Sequence, residues 1–147
     1  MLGVPTMLGC NFTATGSDFD VDAFLISSTW RELAEPFRRG EPTRSAVIRA
    51  YTFSGFQIHI SDSDEDELEP QIQNSLEFLR VAGAELERLA AFPGVTKMEF
   101  SIGLFWREDT LSQHHTLPPE FMRLAGEHGV TVSLCIYGVH QSVETDA

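Results

Sequence analysis

Between residues 7 and 15 the chain alternates. Leu8, Cys10, Phe12 and Ala14 take one parity; Gly9, Asn11 and Thr13 take the other. Successive strand side chains point to opposite faces, so this pattern predicts a half-buried strand. The same alternation returns in "FQIHIS", with Phe56, Ile58 and Ile60 opposed to Gln57 and His59. In "VTKMEFSIGLFW" it sets Met98, Phe100, Ile102, Leu104 and Trp106 against Lys97, Glu99 and Ser101. In "VTVSLCIYG" it turns Val130, Val132, Leu134 and Ile136 inward. "SAVIRAYTF" is rich in β-branched and aromatic residues and reads as one more strand, joined to "FQIHIS" by a Ser54-Gly55 hairpin turn.

A different period appears from residue 70 onward. Ile72, Leu76, Leu79, Gly83, Leu86 and Ala90 recur at spacings of four and three. That spacing predicts an amphipathic helix from near Pro70 to near Phe92, stopped by Pro93-Gly94. A short helix is expected over "VDAFLISST", capped by Asp18 or Asp20 and burying Val21, Phe24 and Leu25. Another is expected over "LPPEFMRLAGEHG", with proline at its start and Gly129 as its stop. Pro36, Gly40 and Pro42 make residues 31–44 a structured loop, which holds Arg31, Arg38, Arg39 and Arg44.

The resulting order is β-α-β-β-α-β-α-β. It defines an α+β fold: a five-stranded, mostly antiparallel sheet with helices on one face and water on the other. The first six elements read as a ferredoxin-like core with an appended αβ. All 147 residues are expected in a single domain, with 141–147 as a fraying tail.

Charge narrows the function classes. The formal net charge is −12. Phosphate backbones and anionic membrane surfaces are bound by Lys and Arg, so nucleic acid and membrane are not expected as partners. A basic protein partner fits, as does plain solubility. "MLGVPTMLGC" has neither the basic nor the long apolar region of a signal peptide, and no run reaches membrane-spanning length. A cytoplasmic protein is the expectation. The two cysteines, Cys10 and Cys135, have no metal-ligand spacing and are expected as free thiols.

The densest charge lies in "SDSDEDELEP", six acids within residues 62–69. Asp62, Asp64 and Asp66 match the first, third and fifth ligands of an EF-hand loop. The match fails where glycine is needed, at Glu67, and where the bidentate Glu is needed, at Gln73. Acids before a helix interact with its positive end, each worth about 0.3–1 kcal/mol at low salt. Two or three suffice for that. The surplus makes Asp62, Asp64, Glu65, Asp66 and Glu67 the candidate surface for a basic partner.

No nucleophile motif, phosphate-cradling loop or metal-ligand spacing is present, so no catalytic residue, cofactor or metal is assigned. His114-His115 are read as a polar loop pair and His128 as the end of a helix. "RRGEP" offers two arginines that a carboxylate or phosphate would suit, though a surface salt bridge explains them as well. The alternative site is the open sheet face: Arg49, Tyr51, His59, Glu99 and Tyr137, among Asn11, Thr13, Gln57, Lys97, Ser101 and Ser133. There His59 and Glu99 would form an acid/base pair if their strands brought them together.

Several stretches taken together carry a family resemblance. They are "CNFTATG", "DFDVD", "RRGEP", "SGFQIHIS", "FPGV" closing the long helix, and "LPPEFMRLAGEHGVTVSLCIYG". With them the chain resembles a bacterial domain of unknown function, family four-two-seven-nine, over nearly its whole length. The resemblance implies the same order of elements and adds no catalytic residue. The expected function is a non-catalytic protein-interaction module, with immunity-type inhibitors of bacterial toxins as one such class. The alternative is a small-ligand-binding domain or enzyme using the open sheet face.

Overall fold

A computed structural model describes residues 9–43, 47, 49–61 and 67–138. The central strand is β1 (Gly9–Gly16), flanked by β3 (Ser54–Ser61) and β4 (Lys97–Phe105). The outer strands are β2 (Glu35–Phe37) and β5 (Thr131–Tyr137), giving the order β2-β3-β1-β4-β5. β1 pairs antiparallel with β3 and β4, and β2 pairs antiparallel with β3. β5 runs parallel to β4, because helix α4 (Pro119–Glu127) carries the chain back between them.

The alternating residues divide as their parity requires. Phe12, Ala14, Phe56, Ile58, Met98, Phe100 and Ile102 are buried beneath the helices α1 (Val21–Leu25), α2 (Leu68–Val81), α3 (Gly83–Ala91) and α4. Phe12 is the hub. Its ring meets Trp30, Phe56, Phe78 and Phe100 at centroid distances of 5.3–6.4 Å. Burial of each such ring stabilises by about 1.5–3 kcal/mol, with a further 0.5–1.5 for favourable aromatic geometry.

The caps follow the sequence closely. Asp20 accepts a hydrogen bond from Ala23 N (3.0 Å) to open α1. Pro119 is the first residue of α4; His128 caps its end, and Gly129 follows at φ +72°.

Four expectations need correction. Of the stretch 45–53, the described residues 47 and 49–53 belong to no strand of the sheet. Residues 49–53 return along 40–43 as a flap, with Gly40 N donating to Tyr51 O and Thr43 N to Arg49 O. Ser54-Gly55 is not a turn but the start of β3, and the outer strand β2 comes instead from the segment expected to be loop. The long helix is divided at Ala82 (φ −99°, ψ 16°), just before Gly83, whose helix propensity is about 1 kcal/mol below that of Ala. The break bends the helical layer so that Leu79 on one side and Leu86 and Leu89 on the other are all fully buried. Finally, Leu134 and Ile136 lie on the helix-facing side of β5 yet are 38% and 46% exposed. β5 is an edge strand, and α4 leaves its second half uncovered.

The acidic stretch from Asp62 to Asp66 lies outside the described residues, as do Arg44 and the tail. Glu67 sits exposed at the N-cap of α2 and makes no side-chain capping bond. The buried Gln71 of its first turn instead ties the helix to the sheet, its amide donating to Glu67 O (3.0 Å) and to Gly103 O (3.0 Å). Residues 68–73, which would form the second half of an EF-hand loop, are helical.

Candidate functional site

The helix-free face of the sheet is not flat. The flap folds over its β2–β3 end and turns Phe37, Tyr51 and Phe53 inward as an aromatic wall. Phe37 stacks on Tyr51 (centroids 4.7 Å apart, 25° between planes), and Phe53 meets Phe37 edge-on at 6.0 Å. Tyr137, with Phe105 beside it at 6.4 Å, stands at the far end. Between them lies a cleft of about 500 Å³. Its floor is the outward parity of the central strands: Asn11, Thr13 and Thr15 of β1, Gln57 of β3, Lys97, Glu99 and Ser101 of β4, and Cys135 of β5. Asn11 is only 8% exposed, although it faces away from the helices.

The floor's polar groups hold one another. Asn11 Oδ1 accepts from His59 Nδ1 (3.0 Å) and from Gln57 Nε2 (3.5 Å). Glu99 is paired with Lys97 Nζ at 3.4 Å and accepts a hydrogen bond from Ser133 Oγ. Ser101 Oγ lies 3.4 Å from Cys135 Sγ. Lys97 and Glu99 cancel in charge, so the floor is close to neutral.

Of the five residues singled out on the open face, Tyr51, Glu99 and Tyr137 line this one cleft, as do Asn11, Thr13, Gln57, Lys97 and Ser101 around them. Arg49 does not: it is exposed on the flap and is not among the residues that line the cleft. His59 does not line it either. β1 intervenes between His59 and Glu99, which sit in different rows of the sheet, opposite Asn11 and Thr13. Two strand spacings put them roughly 10 Å apart, and each already has other partners. They are not an acid/base pair.

Thr15, Phe37, Phe53 and Cys135 also line the cleft and are not among the residues the sequence pattern points to. The signal for the two phenylalanines was present: bulky aromatics bracketing a Gly/Pro-containing excursion.

Other candidates resolve into local structure. Arg38 of "RRGEP" forms a forked bond to Asp22 (2.7 and 2.8 Å) and reaches Glu41 at 3.3 Å. Its hydrogen bonds hold the Asp22 carboxyl below the usual range. His114 and His115 line a second cleft of about 660 Å³ with Glu67, Glu69 and Arg107. Gln113 organises that loop: it accepts from Arg107 N (2.8 Å) and donates to Phe105 O and His115 Nε2 (both 2.9 Å). Among the described residues no group of three His, Cys, Asp or Glu side chains is placed to hold a metal ion.

The two thiols are unpaired with each other. Cys10 faces the core, hydrogen-bonded to Ser75 Oγ (3.2 Å), and burial pushes its pKa up to about 12. Cys135 lies on the opposite face, with β4 between their strands.

Compared with family models, with curated proteins and with solved structures, the chain finds no match. No helix among the described residues is long and apolar enough to cross a membrane. The chain defines an α+β domain with a mixed five-stranded sheet and an aromatic-walled cleft on its open face.

Proposed function

We propose that this chain is a non-catalytic binding domain that takes a small, uncharged ligand with a flat apolar part into the open-face cleft. The observation that carries this reading is the combination of an aromatic wall and a neutral hydrogen-bonding floor in one cleft of about 500 Å³. Ligand sites are typically ~300–1,000 Å³, mainly apolar, with a few placed polar groups. A flat ring fits against Tyr51 or Phe53, and its polar edge reaches Thr13, Gln57 and Glu99. Binding without turnover fits the way Glu99 and His59 are spent on structural partners.

The test is a thermal-shift screen with small aromatic amides and heterocycles. Ligand at a hundred times Kd stabilises by about 2.7 kcal/mol, which raises Tm by roughly 5–10 °C for a chain of this size. Thr13→Phe, filling the cleft, abolishes the shift. A library without hits, or a shift that Thr13→Phe leaves intact, overturns the proposal.

A second reading keeps the acidic surface as a docking site for a basic protein, the immunity-type class included. It is favoured by Glu67 and Glu69, which are exposed and form no ion pair with a described residue. Acids of this kind raise association rate more than affinity. Neutralising Asp62, Asp64, Glu65, Asp66 and Glu67 together then slows association with a native basic partner at low salt. Unchanged association rules this surface out.

A further inference from the structure

Asn11 is only 8% exposed, yet it sits on the cleft floor. Two neighbours on β3 fix one end of its amide: His59 Nδ1 and Gln57 Nε2 both donate to Oδ1. A local irregularity helps to place them. Cys10 faces Ser61 and Asn11 faces His59, so Ile60 is an extra residue in β3, and bulges of this kind re-aim the side chains beside them. The other end of the amide, Nδ2 with its pair of N–H donors, has no hydrogen-bond partner among the described residues. Ser28, Ser54, Ser61 and Ser75, buried elsewhere, each spend their hydroxyl on a neighbour. Among the described residues, the one side-chain nitrogen or oxygen both sealed from solvent and unpartnered is Gln71 Oε1. Asn11 Nδ2 is therefore not sealed, and the space it reaches is the cleft.

On the reading of the cleft as a small-ligand site, we propose that Asn11 is its specificity-determining residue and selects flat ligands that carry a ring carbonyl. The carbonyl oxygen accepts from Asn11 Nδ2. Leaving a buried donor without an acceptor costs more than a hydrogen bond gains, so a site of this kind rejects ligands that lack the matching group. Charge narrows the class further. A carboxylate would also accept from Nδ2, but it would meet Glu99 on the same floor, in a chain of net charge −12, and Lys97 is already paired with Glu99. An ammonium group has no acceptor to offer. A neutral carbonyl, as in a lactam or a cyclic imide, meets both conditions. His59 and Gln57 hold the amide in place before the ligand arrives, so little ordering is lost on binding.

Isothermal titration of the full chain with a matched pair of probes tests the proposal. Indole is a flat bicycle with an N–H and no acceptor oxygen; oxindole is the same bicycle with a carbonyl beside the N–H. Oxindole is expected to bind at least about tenfold more tightly. Asn11→Asp keeps the shape and the acceptor for His59 and Gln57 but replaces the donors, and it removes that preference. In the isotope-labelled wild-type chain, the NMR signals of the Asn11 side-chain amide move with oxindole and stay in place with indole, a readout that holds should the variant fail to fold. Equal affinity for the two probes overturns the role of Asn11, as do a preference that survives Asn11→Asp and Asn11 signals unmoved by oxindole. In each of these cases, binding that Thr13→Phe blocks leaves the cleft reading standing. Binding of neither probe at millimolar concentration overturns both.

Discussion

Phe37 lays its ring over Gly55. A Cβ built on that glycine would stand 3.0 Å from Phe37 Cζ and 2.2 Å from the backbone oxygen of Ala14. The side chain can swing away, but the carbonyl cannot, since Ala14 belongs to the central strand. Gly55→Ala is therefore expected to destabilise the fold by about 3 kcal/mol or more, the upper range of overpacking. It also pushes Phe37 off its seat and opens the aromatic wall. Urea unfolding gives the first effect; loss of ligand-induced thermal shift in the variant at low temperature gives the second.

The two thiols are expected to react at very different rates. Cys10 is fully buried with its pKa raised to about 12, so it presents almost no thiolate at neutral pH. Cys135 lines the cleft. A chromogenic disulfide reagent should titrate one thiol per native chain and two after unfolding. Cleft ligands should protect that one thiol, whereas Cys135→Ser should leave none in the native state.

Glu85 ties α3 to the turn after α1. It accepts from Ser28 Oγ, and it pairs with Arg88, which donates to Phe24 O (2.9 Å) and lies 4.1 Å over the Phe24 ring. Partial burial works against its charge, but the bonds from Arg88 and Ser28 outweigh it and hold the carboxyl below its ordinary 4.5. A lowered folded-state pKa contributes stability above the unfolded value, and that contribution fades as pH falls through the folded one. Glu85→Ala should cost about 1–3 kcal/mol at neutral pH. The gap from wild type should narrow below pH 4.5, as measured by urea midpoints across that range.

Gly83 is expected to be replaceable at a gain. A Cβ there would meet only His128 Cε1, at an ordinary 3.8 Å, and the residue has no positive φ. Gly83→Ala should stabilise by about 0.5–1 kcal/mol through the unfolded chain's lost freedom. A drop in Tm instead would mean that the bend at Ala82 needs glycine beside it.

The sequence was most informative where a single physical rule operates. Period-two alternation located β1, β3, β4 and β5, since each has one face against the same aromatic core. Capping chemistry narrowed the start of α1 to Asp18 or Asp20, of which Asp20 is the cap, and marked the ends of α4 by its proline start and Gly129. It was misleading where local preference yields to tertiary context. Residues 45–53 have the composition of a strand, but the place beside β3 is taken by Glu35–Phe37, a segment whose prolines argued for loop. Pro36 is tolerated there because an outer strand leaves one side unpaired. The cleft was half legible. Parity alone put Thr13, Gln57 and Glu99 on one face; only the flap turns that face into an enclosure, and a flap has no period to read. The pairing of His59 with Glu99 failed because parity fixes a face and leaves strand order open.

The shortness of β2 bears on how the sheet can grow. Three residues, with Pro36 lacking an N–H and Glu35 carrying charge, give an incoming strand too little to pair with on that side. An uncharged β-rich segment such as "TVSLCIY" seeds open-ended stacking only where strands can keep adding. At the β2 edge of this sheet that addition is blocked.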